Sequence, residues 1–225
     1  MINMAESKSN GNCYLCGHTY SKAGFAKHIL SNHSYAGADS QDCAVLKVEG
    51  ADDKSYWLYV DIALTSTLQP LDSFLRDIWL ECCGHLSNFY AIGIEQIGKS
   101  KKISLLPKGF TFYYDYDFGS TTTLKITVVG HSCRPRQRKA VRLLARNIPH
   151  TFICGNCGKP ATSICCECRW DGKNPFLCDD CANGHEHDYA ILPVTNSPRM
   201  GECAYCGEFD VYEFDSSKFE KKQDI

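Results

Sequence analysis

The segment from Cys154 to His187 concentrates residues that bind metal ions. Seven of its 34 residues are cysteine and two are histidine. The cysteines form C-x2-C pairs, in which a tight turn directs two thiolates toward one metal ion. The pairs are Cys154/Cys157, Cys165/Cys168 and Cys178/Cys181, followed by His185/His187 and then Cys203/Cys206. These ligands are too many for one zinc ion and enough for two, so the sequence predicts two zinc sites here.

Interleaved pairing, as in small cross-braced zinc modules, assigns the first and third pairs to one ion. The predicted ligands of that site are Cys154, Cys157, Cys178 and Cys181. The other ion takes Cys165 and Cys168 with either His185/His187 or Cys203/Cys206, and Cys166 is an alternative to Cys165. Four protein ligands leave no open position for water, so the predicted sites are structural and not catalytic.

A third ligand set lies in the N-terminal sequence CYLCGHTYSKAGFAKHILSNH, with the spacing C-x2-C-x11-H-x4-H. Its members are Cys13, Cys16, His28 and His33. A hairpin that supplies two thiolates and a helix that supplies two imidazoles are typical of a ββα zinc finger. Tyr20 and Phe25 supply its small core, and zinc supplies most of the folding energy of so short a unit. The whole chain therefore predicts about three zinc ions.

Two groups of basic residues are candidates for contact with nucleic acid. If His28 is the seventh residue of the finger helix, the base-reading positions are Ser21, Gly24 and Lys27, of which only Lys27 suits a guanine edge. The segment RPRQRKAVRLLAR (134–146) holds six basic residues and no acidic one. The predicted phosphate contacts are Lys22, Lys27, Arg134, Arg136, Arg138 and Lys139. Alternatively, Arg142 and Arg146 form the solvated face of an edge strand.

Two further groups of residues, in the centre of the chain, are weaker candidates for functional sites. Cys82, Cys83 and His85 form a possible half-site for metal, although Cys82 falls on an apolar helix face where buried cysteine is common. Asp115 and Asp117 share a predicted strand face and suit a magnesium-dependent hydrolase. The more ordinary interpretation is a solvated strand face, so no catalytic residue is predicted.

The elements that must position these residues follow from hydrophobic patterning. Strands are predicted over 43–50, 56–64, 110–117, 122–130 and 140–147, with a hairpin turn at 118–120. A helix is predicted from Pro70 to Cys82, ended by Gly84. The fold class is α+β: a central mixed, α/β-roll-like domain with an antiparallel sheet, flanked by the finger and the cross-braced module. The domains are 10–35, 40–150 and 151–207, with a loose polar tail at 208–225.

The length, charge and hydrophobic content of the chain limit the classes of protein to which it can belong. The chain has 225 residues, a net charge of −2 and 44% hydrophobic residues, as in ordinary globular proteins. The start MINMAESKSNG has no apolar signal region, and no apolar run is long enough to span a membrane. A cytoplasmic location is therefore expected, where 15 cysteines indicate metal and not disulfides. Neither a membrane nor a small-molecule cofactor is expected.

Several segments resemble a known family. These are FLRDIWLECCGHLSNF (74–89), FTFYYDYDFGSTTTLKITVV (110–129), LLARN (143–147) and LPVTNSPRMGECAYCG (192–207). They are similar to the plasmid pRiA-type ORF-three-like proteins, also called transposon-passenger TnpR-like, over about residues 42–207. The resemblance implies an α+β domain of prokaryotic origin and no assured activity. No recombinase serine motif supports the chemistry that the TnpR label suggests.

The predicted function is a non-enzymatic, zinc-binding regulatory or binding module that associates with DNA or RNA. The alternative is a protein–protein interaction adaptor, and the third hypothesis is the metal-dependent hydrolase. Salt-dependent retention on nucleic acid distinguishes the first from the second.

Overall fold

The computed structural model describes residues 9–220, and over this range the dominant element is a nine-stranded antiparallel sheet. Its strands are β1 (Asn10–Cys13), β2 (Thr19–Ser21), β3 (Ser40–Gly50), β4 (Trp57–Ala63), β5 (Ser87–Ala91), β6 (Ile94–Ile97), β7 (Thr111–Tyr116), β8 (Thr122–Pro135) and β9 (Val141–Asn147). Their order is β2-β1-β9-β4-β3-β8-β7-β5-β6. The few helices and this mostly antiparallel sheet agree with the predicted mixed α+β class at its coarse level.

The main core lies between the sheet and one helical segment. Helix α2 (Leu68–Leu75) continues as a single π-helical turn, Arg76–Leu80. Its apolar face, including Leu71, Phe74 and Trp79, packs on inward-facing residues of β3, β4, β7 and β8. The helix begins at Leu68, so Pro70 lies in its first turn as predicted, but the helical segment ends before Cys82, so the predicted C-terminal bound was wrong. Glu81 is already extended, which places Cys82 outside the helix.

The N-terminal finger segment is part of the large sheet. Strand β1 pairs with β9, with Gly11 opposite Asn147. A Cβ atom on Gly11 would lie 2.3 Å from both the Arg146 carbonyl oxygen and the Trp57 ring, so only glycine fits this approach. Helix α1 (Lys22–Asn32) packs Phe25 and Ile29 into a second core, against residues of β3, β4 and β9. The finger segment therefore shares a sheet and a core with the central strands.

The C-terminal segment contains a small sheet of its own. Strands β10 (Ser163–Cys165), β11 (Phe176–Leu177) and β12 (Ile191–Pro193) pair in the order β11-β10-β12, with short helices α3 (Cys166–Trp170) and α4 (Asp179–Ala182). Its buried cluster consists of four cysteines and Leu177, with few other apolar side chains. A core this small supplies little of the apolar burial that an independently folded unit needs.

The acidic tail contacts the central sheet and the finger over the residues described. Asp210 forms an ion pair with Arg146 at 2.7 Å, and Tyr212 packs edge-on against Phe74. Phe214 contacts Tyr14 of the finger, close to the short helix α5 (Ser217–Glu220). The expectation of a loose tail rested on charge and overlooked these aromatic contacts. The polar start at 1–8 and the last residues, 221–225, lie outside the described range.

Among residues 9–220 there is no helix with the length and apolar character needed to cross a membrane.

Candidate metal centres

Four groups of cysteine and histidine side chains converge in the described residues, and in each group all ligand atoms lie within 4.8 Å of one another. They are Cys13/Cys16/His28/His33, Cys82/Cys83/His85/Cys203, Cys154/Cys157/Cys178/Cys181 and Cys165/Cys168/His185/His187. Tetrahedral zinc, with bonds of about 2.3 Å to sulfur and about 2.0 Å to nitrogen, sets its ligand atoms about 3.3–3.8 Å apart. Most close contacts between ligand atoms in these groups lie near that range, so the clusters are compatible with metal binding.

The first group, the finger quartet, is formed by the β1–β2 hairpin and the end of helix α1. Cys13 Sγ lies 3.5 Å from His33 Nε2, and Cys16 Sγ lies 3.4 Å from His28 Nε2. Gly17, at φ +78°, donates its N–H to the Cys13 carbonyl and closes the turn between the two thiols. Burial raises the pKa of Cys13 to about 11 and lowers the pKa of His28 and His33. Neutral imidazoles can bind a metal ion without losing a proton. The buried thiol must first lose its proton, and a nearby cation is needed to stabilise the resulting thiolate.

The second group, the all-cysteine quartet, joins the first and third C-x2-C pairs as interleaving predicts. Gly158, at φ +75°, makes the same turn as Gly17, and Cys157 Sγ lies 3.5 Å from Cys178 Sγ. The backbone N–H of Cys178 lowers the pKa of Cys154 to about 6, while the neighbouring Cys157 sulfur raises that of Cys181 to about 12. One thiolate is therefore favoured by the protein alone, whereas ionisation of all four thiols needs a cation between them to offset their mutual repulsion.

The third group, the mixed quartet, brings Cys165 and Cys168 together with the two histidines and not with Cys203/Cys206. Cys168 Sγ lies 3.4 Å from His185 Nε2 and 3.7 Å from His187 Nδ1. The β10–α3 junction aims Cys165 inward, and its sulfur accepts the backbone N–H of Cys168. Cys166 belongs to none of the four groups. The structure therefore places Cys165 and Cys168 beside His185/His187 and not beside Cys203/Cys206, which the cysteine spacing alone left undecided.

The fourth group, the inter-segment quartet, was not predicted as a complete site. Cys82, Cys83 and His85 follow the π-helical turn, and Cys203 reaches them from far along the chain. Cys203 Sγ lies 3.5 Å from His85 Nε2 and 3.8 Å from Cys83 Sγ. Cys206, predicted to act with Cys203, is exposed and lies in none of the groups. The C-x2-C spacing was therefore misleading here, since Cys203, at a left-handed φ of +52°, lies beside His85 and Cys83, and Cys206 does not join it.

The predicted basic patch is divided by the structure. Arg134 is fully buried and forms an ion pair with Asp61, which Arg142 also contacts at 2.5 Å. The prediction that Arg134 contacts phosphate was therefore wrong, because strand β8 directs this side chain inward. Arg146 is buried against Asp210, so the solvated-face interpretation also fails for that residue.

Three members of the patch remain available. Arg136, Arg138 and Lys139 are exposed in the loop between β8 and β9. Arg134 supports this loop, since its guanidinium donates to the carbonyls of Lys139 and Ala140 at 2.8 and 2.9 Å. Of the finger residues, Lys27 is exposed, whereas Lys22 lies 2.6 Å from Glu49 and is partly neutralised.

The two aspartates of the hydrolase hypothesis do not share a strand face. Asp115 accepts a hydrogen bond from Thr123 at 2.7 Å. Asp117 lies beyond the end of β7 with φ +64°, where it forms an ion pair with buried Arg199 at 2.7 Å. The hydrogen bond from Arg199 overcomes burial and holds the pKa of Asp117 below its ordinary value. Asp117 is therefore a structural partner of Arg199.

Comparisons with known proteins identify no family. No protein-family model and no curated protein matches the chain. A crystal structure of a protein of unknown function from Methanosarcina mazei is similar over 47% of this chain and 67% of that chain, at 18% identity and a TM-score of 0.38. At this level of similarity neither fold nor function is transferred, and the pRiA-type resemblance stays a prediction.

Proposed function

We propose that this chain is a non-enzymatic zinc protein in which the finger, all-cysteine and mixed quartets each hold one structural zinc ion. The observation that carries the proposal is the convergence of four thiol or imidazole ligands in each group, with all ligand atoms within 4.8 Å of one another. Thiolate and imidazole ligands favour zinc over magnesium or calcium, which prefer oxygen. Four protein ligands leave no position for a substrate, so zinc acts by holding the fold. The pRiA-type resemblance, which names no activity, is compatible with this role.

The proposed binding function is association with DNA or RNA through the phosphate backbone. Its support is the loop of Arg136, Arg138 and Lys139, whose three positive side chains are exposed and have no ion-pair partner among the described residues. The loop is hydrogen-bonded to the segment after helix α1, since Arg136 N–H donates to the Asp39 carbonyl at 3.0 Å. The finger helix and the basic loop therefore lie on connected elements, and both contribute exposed positive charge.

Charge reversal in this loop tests the proposal. We expect the triple variant R136E/R138E/K139E to lose most of its affinity for labelled DNA and RNA duplexes in fluorescence anisotropy titrations. Each lost phosphate contact lowers the slope of log affinity against log salt by about 0.9 on a DNA duplex, so the slope should fall by about 2–3. The matched control is K101E/K102E/K108E, which changes the same charge at exposed lysines elsewhere. Equal weakening of both variants, or no binding by the unaltered chain, would contradict nucleic-acid association.

A protein partner is the second candidate, favoured by two exposed aromatic side chains on the C-terminal module. Trp170 and Tyr189 are 74% and 76% exposed. Exposed aromatic residues are enriched where proteins bind one another. A partner held by such contacts stays bound at high salt, whereas phosphate contacts are lost. The salt dependence of the anisotropy titration therefore separates the two candidates.

A further inference from the structure

The inter-segment quartet draws its ligands from two distant parts of the chain. Cys82, Cys83 and His85 follow the π-helical turn, and Cys203 lies 120 residues beyond Cys83. Three thiols and one imidazole within 4.8 Å form a complete tetrahedral ligand set. Of these side chains, Cys83 and Cys203 are exposed, whereas the other quartets each contain at least two buried ligands.

The segment that carries Cys203 is docked on the central core by contacts that involve no ligand atom. Ser197 Oγ donates to the Trp79 carbonyl at 2.6 Å, and Trp79 Nε1 donates to the Asn196 carbonyl at 2.9 Å. Arg199 is fully buried and reaches Asp117 at 2.7 Å. These contacts fix the position of the segment that carries Cys203, and this position brings Cys203 Sγ close to His85.

The loop that carries the other three ligands is also held in place. Gly84, at φ +72°, donates its N–H to the Glu81 carboxylate at 2.6 Å. The Tyr116 hydroxyl accepts the backbone N–H groups of Cys82 and His85 at 3.4 and 3.3 Å. The loop is therefore held by hydrogen bonds that do not involve its metal-ligating atoms.

Two outer contacts around the quartet are of the kind that surrounds metal ligands. His85 Nε2 faces Cys203, while His85 Nδ1 faces the Asp117 carboxylate at 3.6 Å, the carboxylate–histidine arrangement that orients a ligating imidazole. Arg199 donates to Cys82 Sγ at 3.5 Å and offsets the negative charge of a three-thiolate site.

We propose that Cys82, Cys83, His85 and Cys203 hold a fourth zinc ion, which joins the 196–203 segment to the end of the α2 helical segment. Its two exposed ligands make it the most accessible of the four sites, so its zinc is the first to leave in a chelator challenge. This ion is separate from the three structural ions proposed above and from nucleic-acid binding.

A matched pair of cysteine variants tests the fourth site, with zinc per chain measured by plasma mass spectrometry on protein purified under reducing conditions without added metal. We expect about four zinc ions in the unaltered chain and in Cys206→Ser, and about three in Cys203→Ser. Cys83→Ser, at an exposed position, should also lose one ion and provides a second measurement if Cys203→Ser folds poorly. Under a chelator, the ion missing from these variants should be the one released first from the unaltered chain.

Two results would overturn the fourth site. One is about three zinc ions in the unaltered chain with no further loss in Cys203→Ser or Cys83→Ser. The other is a Cys83–Cys203 disulfide in protein purified without reductant and alkylated at once, since a disulfide would draw these sulfurs from 3.8 Å to roughly 2.05 Å and leave neither thiolate free to bind an ion. Either outcome leaves the three structural sites and the basic loop untouched, because they share no ligand with this quartet.

Discussion

Replacement of Cys165 by serine is expected to remove one zinc ion per chain and to unfold the β10–α3 region, whereas replacement of Cys166 is expected to remove none. The two residues are neighbours, but only Cys165 belongs to the mixed quartet. The apparent free energy of structural zinc binding is about 10–16 kcal/mol in finger peptides, far above what the small core of this segment supplies. With zinc bound as proposed, loss of one thiolate removes the main stabilising interaction of the local fold.

Zinc content and amide hydrogen exchange measure both effects. In Cys165→Ser, the amides of β10, α3 and β12 should lose protection while those of the nine-stranded sheet keep it. In Cys166→Ser, zinc content should be unchanged, and the melting temperature should shift by no more than about 2–4 °C. Zinc loss in Cys166→Ser with retention in Cys165→Ser would assign the ligand to Cys166 and contradict the observed register of β10.

Replacement of Arg134 by alanine is expected to destabilise the chain by about 3 kcal/mol, although this residue belongs to the most basic stretch of the sequence. Removal of one partner of a buried ion pair typically costs about 3–5 kcal/mol, because a charge remains buried without compensation. Arg142 still contacts Asp61 at 2.5 Å, so the expected cost lies at the lower end. The variant also loses the two hydrogen bonds that support the loop at Lys139 and Ala140.

Urea unfolding with zinc retained in the buffer measures this change as a shift in the transition midpoint. The matched control is Arg136→Ala, two residues along at an exposed position, for which we expect a change within about 0.5 kcal/mol. Similar stabilities of the two variants would show that the Arg134–Asp61 pair is not a buried structural contact.

The sequence predicted which local cysteine and histidine side chains converge, because these residues come from short, regularly spaced pairs. The finger ligands span 13–33 and the interleaved pairs span 154–187, so a turn and a helix suffice to bring each set together. The inter-segment quartet escaped prediction because no spacing rule relates Cys83 to a residue 120 positions away. The pairing of β1 with β9 was missed for the same reason.

The burial of Arg134 could have been predicted from two patterns in the sequence. Alternation along β8, counted from Leu124 through Ile126 and Val128, places Arg134 on the buried face. Asp61 stands alone in the otherwise apolar strand WLYVDIA, and a buried carboxylate requires a cationic partner. Taken together, these two patterns predict an ion pair between the strands in place of a phosphate contact.

Zinc stoichiometry in the double variant C83S/C203S tests the central claim most directly. This variant removes the inter-segment quartet, so only the finger, all-cysteine and mixed quartets contribute. Native mass spectrometry of the folded chain, purified under reducing conditions without added metal, should show about three zinc ions. One ion or none, with the chain still folded, would contradict the proposal that three closed quartets hold the structure together.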